Sequence, residues 1–561
     1  MQRIEVPYLV VGAGPVGLMG GLLLARQGRP HIVLERRRGA QRAPAAHVVN
    51  ARTFEICRQA GIDSAAIDGA SKDPTDAGYS IYVTTLTGEE IGRLPFEQQG
   101  KDCLRHTPTP LRNLSQHRFE PILADTLSQM SESELRYGHQ WESVQQDENG
   151  VTSTVRDLEA GKTYEIRSRY VIAADGAGSP VRRSLGIEME GPPNIQSFLM
   201  IHLKADLRAL VADRPGILYW VMDPEVGGVL VAHDIDHEWV YMYGFDPDKE
   251  SAEEYSDERC HELAIRAIGK EASVRVLGRG TWNMSAQVAK SMRDRRVFLA
   301  GDSAHRFPPT GGMGLNTGIQ DVHGLVWKLC AVEDGWAGPP LLDTYELERR
   351  PVAEHNTEQS LKNALKMMEI PQALGVLEDP TTARMKATLV DPAGRRAVED
   401  AIANQAEHFD MLGLQLGYCY TEGALVPDGS QAPAINNPVR DYVASSRPGA
   451  RLPHAWLKSG SARVSSLDLV RSDSFTLLSW GEDDVWAKAA STAAPVPLSH
   501  LRIGMDVQDI EGHWKSVCGI EPGGAVLVRP DQHVAWRAAS RSGSDLYDLG
   551  SILKAVLSFP V

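Results

Sequence analysis

Short apolar runs, each ended by glycine or a charge, set the reading of this chain. Tyr8-Leu9-Val10-Val11 is apolar throughout, the pattern of a strand buried on both faces. A glycine-rich turn follows, and a helical stretch runs from Pro15 to about Gln27, where Gly28 ends it. His31-Ile32-Val33-Leu34 is the next strand, closing at Glu35. The strand-then-turn design returns twice. Residues 170–173 lead into Asp175-Gly176 and a helix that starts near Ser179. Residues 296–300 lead into Gly301-Asp302, a glycine-rich loop, and a helix through Leu325, Trp327 and Lys328.

The texture between these segments differs. Residues 198–203, 216–221, 228–231 and 239–243 read as successive strands with turns between them. They predict an antiparallel sheet, to which residues 70–105 contribute. Tyr219, Trp220, Tyr241 and Tyr243 cluster there, either lining a pocket for a planar aromatic or packing the sheet. His233 reads as a structural strand-end histidine. A helix is expected from 345 to about 368, and the Pro- and Gly-rich zone 426–453 is the best linker. The expected division is 1–185 and 281–399 for one split α/β unit, 186–280 for the inserted sheet, and 400–561 for a C-terminal unit.

Composition narrows the class. The 561 residues are 42% hydrophobic and 23% charged, enough for several cores. A net charge of −15 argues against nucleic acid or an anionic membrane as main partner. The six cysteines form no Cys-x-x-Cys pair, and no metal-ligand spacing occurs. The apolar region 6–25 is broken by Pro15 and five glycines, and no basic stretch precedes it, so neither a membrane span nor a signal peptide is expected. The expected location is the cytoplasm; a homodimer is left open.

Gly12-Ala13-Gly14-Pro15-Val16-Gly17 sits between strand and helix, the context a dinucleotide fingerprint requires. Gly12 permits the tight turn, Gly14 lets a diphosphate approach the backbone, and Gly17 lets helix and strand pack. Glu35 stands where a carboxylate meets a ribose 2′-hydroxyl and repels a 2′-phosphate, which favours FAD or NAD over NADP as resident. Arg36-Arg37-Arg38 is a solvated run, or one in which an arginine such as Arg36 lies against the adenosine. No second fingerprint, Ser-His-Asp elbow, zinc motif or P-loop appears, so a cofactor must carry the difficult chemistry.

The fingerprint, the Asp-Gly segment and the Gly-Asp segment, in that order, resemble the class A flavoprotein aromatic hydroxylases. Ala46-His47-Val48-Val49-Asn50-Ala51-Arg52-Thr53, Asn113-Leu114-Ser115-Gln116 and Val528-Arg529-Pro530-Asp531 look closest to the phenol 2-monooxygenase and 2,4-dichlorophenol 6-monooxygenase branch. The resemblance implies a Rossmann-type FAD-binding domain, an inserted substrate sheet and a thioredoxin-like C-terminal domain. It implies FAD held by Gly12, Gly14, Pro15, Gly17, Glu35, Gln116 and Asp302. It also implies backbone N–H groups of Gly314, Leu315 and Asn316 facing the isoalloxazine, with Pro308 and Pro309 stiffening that loop. Asp175 and Arg182 resemble a motif linked to FAD and NAD(P)H contacts. NADH or NADPH and dioxygen would be co-substrates, and a small phenolic compound, with Tyr219, Trp220, Tyr241 and Pro309 near it, would be hydroxylated through a C4a-hydroperoxyflavin. Oxygenation or Baeyer–Villiger insertion on a polycyclic polyketide is an alternative, as is a flavin-binding module without turnover. No residue is assigned as the base; His305 beside Asp302 reads as catalytic or structural.

Overall fold

The structure is a computed structural model describing residues 2–481, 485–491, 493, 495–540 and 548–558. Of the expected C-terminal unit, 482–484, 492, 494, 541–547 and 559–561 lie outside the described residues. After a short strand at Arg3–Glu5, the chain forms β1 (Tyr8–Val11), α1 (Pro15–Arg26) and β2 (His31–Glu35). An irregular strap leads to α2 (Ala51–Gln59), followed by β3 (Tyr79–Val83) and β4 (Glu90–Pro95). Helix α3 (Gln116–Ser128), β5 (Ser133–Tyr137) and, after a small side sheet, β6 (Tyr170–Ala173) come next. Then follow β7 (Gln196–Ala205), β8 (Leu218–Val221), β9 (Gly228–Asp234), β10 (Glu238–Phe245), α4 (Asp257–Ile268) and β11 (Val274–Met284). The chain returns through β12 (Val297–Leu299), α5 (Met313–Glu333) and α6 (Thr344–Lys366). Near the C-terminus lie β13 (Phe475–Trp480), β14 (Leu498–Ile503), β15 (Ala525–Val528) and β16 (Val534–Ala538).

The first sheet runs β12-β6-β1-β2-β5, all parallel, with the short strand Arg293–Asp294 antiparallel at its edge. Its central strands are apolar on both faces because α1 packs on one and the side sheet of residues 139–168 packs on the other, burying Trp141, Val151, Val155 and Ile166 there, so β1 and β6 are buried at every position. The order reverses between β1 and β6, which is where a doubly wound sheet opens a crevice at its carboxyl ends.

The second sheet runs β11-β7-β10-β9-β8-β3-β4. It is antiparallel except where β8 pairs β3 in parallel. Strands from residues 79–95 therefore extend the sheet built by 196–284. One face packs on α4, burying Leu199, Ile201, Leu230 and Trp239 against Leu263, Ala264 and Ile268. The sequence reading had no helix at 257–268, although Ser256 caps it and Gly269 ends it at φ +80°. The C-terminal sheet runs β14-β13-β15-β16, with β13 and β14 parallel and the rest antiparallel. Among the described residues no helix is long and apolar enough to cross a membrane.

Candidate active site

The turn after β1 is built by steric exclusion. Gly12 has φ +101°, and a Cβ there would lie 2.2 Å from the Ala174 carbonyl oxygen beyond β6. A Cβ on Gly17 would lie 1.9 Å from the Gly12 oxygen. Gly14 differs: nothing lies within 4 Å of the position a Cβ would take, and the residue faces a cavity. Among the described residues no neighbour excludes a side chain at Gly14; its bare backbone leaves room for a ligand at the start of α1, where N–H groups and the dipole favour an anion.

That cavity has a volume of about 1510 Å³. Ordinary ligand pockets hold about 300–1,000 Å³, so this one has room for a second molecule beside a dinucleotide. It extends from Gly14 and Pro15, past Asp302, Gly314 and Leu315, to the face of the second sheet turned away from α4.

Period-two alternation decides which sheet residues reach it. Met200 and His202 on β7, Trp220 on β8, Val229, Val231 and His233 on β9, and Val240 and Met242 on β10 line the cavity. Their neighbours point the other way. Tyr219 and Tyr241, expected at the substrate, are wholly buried on the α4 side. Their hydroxyls donate to the Arg214 and Val226 carbonyls. This corrects both assignments: successive side chains on a strand cannot share a face, so Trp220 at the cavity places Tyr219 away from it. Trp220 itself donates from Nε1 to Ser80 Oγ at 3.0 Å.

One end of the wall is apolar and rich in methionine; the other is polar. At the polar end, Gln99 Nε2 donates to the Ala77 and Phe96 carbonyls at 2.8 and 3.0 Å. Carbonyls only accept, so Gln99 must turn Oε1 to Asn113, whose Nδ2 donates to it at 2.9 Å. Asn113 then presents Oδ1 to His47 Nδ1, 2.9 Å away. His47 Nδ1 therefore carries the hydrogen, and the Nε2 lone pair is left for the cavity that His47 lines. Burial lowers the His47 pKa from its usual 6.5, against a smaller raising effect of the Asn113 bond, so the ring is neutral. Beside it, His233 Nδ1 shares a 2.6 Å hydrogen bond with Ser115 Oγ, and burial drives its pKa well down. No sequence argument singled out His47, although it lay within a stretch carrying the family resemblance.

At the first sheet, Asp302 opens into the cavity but lies deep in the protein, and burial raises its pKa. Its neighbour His305 is structural: Nε2 donates to buried Asp321 at 2.6 Å, and the ring stacks on Phe307. Asp321 also accepts from Gly301 N and from Arg349, so this trio holds the Gly301-Asp302 turn. Pro309 and Gln116 line the cavity, and Gln116 Nε2 donates to Glu120 at 2.7 Å. Gly314 and Leu315 lie in the first turn of α5, where N–H groups lack helical partners.

Asn316 is one residue too far for that role. Its N–H falls in register with the Gly312 carbonyl. Its side chain accepts from Asn50 N and Thr53 Oγ1 and donates to Val48 and Gly312 carbonyls, pinning the strap to α5. Arg36 is exposed at the end of β2 and does not line the cavity. Arg37 instead turns back on Glu35, whose oxygens also accept from Ala13 N and Arg37 N. The Glu35 carboxylate is thus already engaged in holding the Gly12–Gly14 turn. Ser179 caps the short helix Pro180–Ser184, and Asp175 supports it by accepting from Ser179 Oγ at 2.6 Å and from Val181 N.

The chain matches the model of an FAD binding domain over residues 5–360 and that of an aromatic-ring hydroxylase C-terminal domain over 445–560. It belongs to the FAD-binding aromatic-ring hydroxylases. The hydroxylase is 34% identical to 2,4-dichlorophenol 6-monooxygenase of Delftia acidovorans, over 99% of this chain and 98% of that relative. It is 33% identical to tetracenomycin A2 monooxygenase-dioxygenase of Streptomyces glaucescens, over 100% and 98%. The crystal structure of the flavin-dependent monooxygenase PieE in complex with FAD and substrate is 36% identical and superimposes with TM-score 0.93 over 100% of both chains. The hydroxylase is therefore an FAD-dependent monooxygenase, and FAD is its cofactor. The residues present suit that group: a bare backbone at Gly14, a carboxyl at Asp302 open to the cavity, and free N–H groups at the start of α5.

Proposed function

We propose that this hydroxylase oxygenates a phenolic aromatic compound, with His47 taking the proton of the ring hydroxyl. In this reading the FAD diphosphate lies along Gly12, Gly14, Pro15 and Gly17, and Asp302 accepts from ribityl hydroxyls. Gly314 and Leu315 N–H groups meet the isoalloxazine, with Gln116 and Pro309 alongside. A ribose contact at Glu35 requires Arg37 to move aside. FAD held there would supply the redox chemistry, with NADH or NADPH as reductant and dioxygen as the oxygen source. The protein's own work is to hold the ring against the Trp220–Met242 wall, to keep water out, and to favour the phenolate.

The observation that carries this reading is the fixed tautomer of His47: an unbonded ring nitrogen at the polar end of an otherwise apolar wall. His47→Ala should keep its yellow colour and lose about 10²- to 10⁴-fold in oxygenation rate. The wild-type rate should be full above the usual histidine range and fall only below 6.5, as acid protonates a base whose pKa burial has lowered. The check is substrate-dependent NAD(P)H oxidation with product mass measured for one added oxygen. A His47→Ala variant that hydroxylates at wild-type rate contradicts the assignment.

A second reading is oxygenation of a polycyclic polyketide, including Baeyer–Villiger insertion. Met200, Met222 and Met242 favour it, because unbranched thioethers adapt to several ring outlines. Product masses from monocyclic and polycyclic phenols separate the two. The C-terminal sheet, a parallel β13–β14 pair followed by antiparallel β15 and β16, supports a thioredoxin-like domain with a packing role, since no Cys-x-x-Cys is present. Six free cysteines, five of them buried, suit the cytoplasm.

A further inference from the structure

The apolar end of the cavity faces one histidine that the protein leaves unpaired. His408 closes the one-turn helix Ala406–His408 and lines the cavity. Its ring is held by packing alone. It stacks on Phe409 with centroids 4.4 Å apart and planes at 12°, and the Trp220 ring lies 6.3 Å away. Gln405 ties this turn to the end of α6 by donating from Nε2 to the Lys366 carbonyl at 3.1 Å. No described group bonds either ring nitrogen of His408. Nδ1 is buried; Nε2 is not, and it is the nitrogen a ligand can reach.

Burial keeps the ring neutral, with its pKa pushed down to about 3, so it carries a single N–H hydrogen. A buried N–H without an acceptor is rarer in proteins than a buried acceptor without a donor. The hydrogen therefore sits on Nε2, and His408 offers the cavity a donor. An unpaired imidazole beside Trp220 and Phe409 also carries a desolvation cost. Phenylalanine would stack on Phe409 without it. An acceptor brought in by a ligand offsets that cost. Trp220 cannot stand in as the donor, because Ser80 already engages its Nε1.

We propose that His408 determines specificity by donating to a carbonyl oxygen at the far end of the substrate, remote from the hydroxyl that meets His47. The inference rests on the phenol-oxygenating reading above and names the substrate class: phenols of two or more fused rings with a keto or quinone oxygen on the remote ring. The spacing favours such a molecule. His47 lies against His233, with centroids 5.7 Å apart, whereas His408 lies by Trp220, whose strand partner is Val229. Val229 and His233 are four positions apart on β9, about 13 Å at the ordinary strand rise. A single ring is too short to meet both histidines; two fused rings and a substituent are not. The two ends also differ in sign. His47 presents a lone pair and His408 a hydrogen, so a reversed substrate would set its carbonyl oxygen against the His47 lone pair. One ring, the one at His47, is thereby chosen for oxygenation.

The test titrates the FAD-loaded enzyme with 6-acetyl-2-naphthol and 6-isopropyl-2-naphthol, which differ by an oxygen in place of a methyl. Flavin absorbance reports binding, and product mass reports oxygenation. Wild type should bind the acetyl compound about tenfold more tightly than the isopropyl one. H408F keeps the stack on Phe409 and loses the donor, so the two dissociation constants should become equal. H408Q carries an amide N–H near the Nε2 position and should keep an intermediate preference, which a purely structural role for His408 would not produce. Equal constants in wild type for two naphthols that are both hydroxylated overturn the His408 contact and leave the phenol reading intact. A preference that H408F retains in full overturns the contact too, because the donor then lies elsewhere. A preference that H408F abolishes, in naphthols that gain no oxygen, supports the contact and overturns the phenol reading.

Discussion

A histidine serves as a base only if the right ring nitrogen is bare, and three side chains arrange that here. Gln99 is turned by two backbone carbonyls, Asn113 by Gln99, and His47 by Asn113. Asn113→Asp tests this directly. A carboxylate accepting the Nδ1 hydrogen favours imidazolium, so the folded His47 pKa rises and the acid limb of kcat/KM moves up towards neutrality. The same change sets a carboxylate oxygen against Gln99 Oε1, at a cost of about 1–3 kcal/mol in stability. A pH–rate profile superimposable on wild type would refute the tautomer argument. The hydrogen-bond chain joins residues 14 and 66 positions apart, a spacing with no local signature. The parity of the substrate wall was available, by contrast. Tyr219 and Trp220 are adjacent on one strand, so at most one can reach a pocket, and burial of β8 on both faces hid which.

Elements read well wherever a local pattern sufficed. The β1–α1–β2 unit, the two later strand-and-turn segments and the four strands of the inserted sheet follow from runs of apolar residues bounded by glycine. Helix α4 carried a comparable pattern in Leu263, Ala264, Ala267 and Ile268 on one face, yet the sequence reading left 186–280 wholly to the sheet. The fingerprint glycines make different demands, which substitution separates. Gly17→Ala drives a methyl to 1.9 Å from the Gly12 carbonyl, so fold and colour should be lost together. Gly14→Ala meets no protein atom, and the backbone there is extended at φ −73°, which alanine adopts readily. That variant should melt like wild-type apoprotein while its FAD dissociation constant rises at least about tenfold, or ~1.4 kcal/mol. Flavin titration followed by quenching, beside a thermal melt of each apoprotein, measures both. A Gly14→Ala protein that binds FAD normally would remove the diphosphate from this turn.

At the scale of the whole molecule, the C-terminal unit is joined to the FAD-binding half through buried charge. Arg451 meets Glu55 of α2 across 396 positions, and Arg52 reaches Gln532 and the Asp531 carbonyl. Arg529 pairs with Asp531 and with Glu348 of α6, which also holds Lys328 of α5. All these side chains are fully buried or nearly so. Such pairings are invisible in the sequence, because each partner looks like an ordinary surface charge until the fold brings them together. A pair of this kind adds little net stability, but removing one partner strands the other without water, at about 3–5 kcal/mol. Arg529→Met leaves Glu348 to Lys328 and the Ala424 N–H, and Asp531 to His533, with no guanidinium between the two carboxylates. Because α5 begins at the cofactor cavity and α6 supplies Arg349 to the Gly301-Asp302 turn, the damage should reach the flavin. Heating this variant should release FAD and unfold the C-terminal sheet in one transition, at a midpoint well below wild type. FAD fluorescence and far-ultraviolet circular dichroism, recorded on the same sample, follow the two events. If the sheet melts first while FAD stays bound, the buried charges fasten the C-terminal unit without supporting the site.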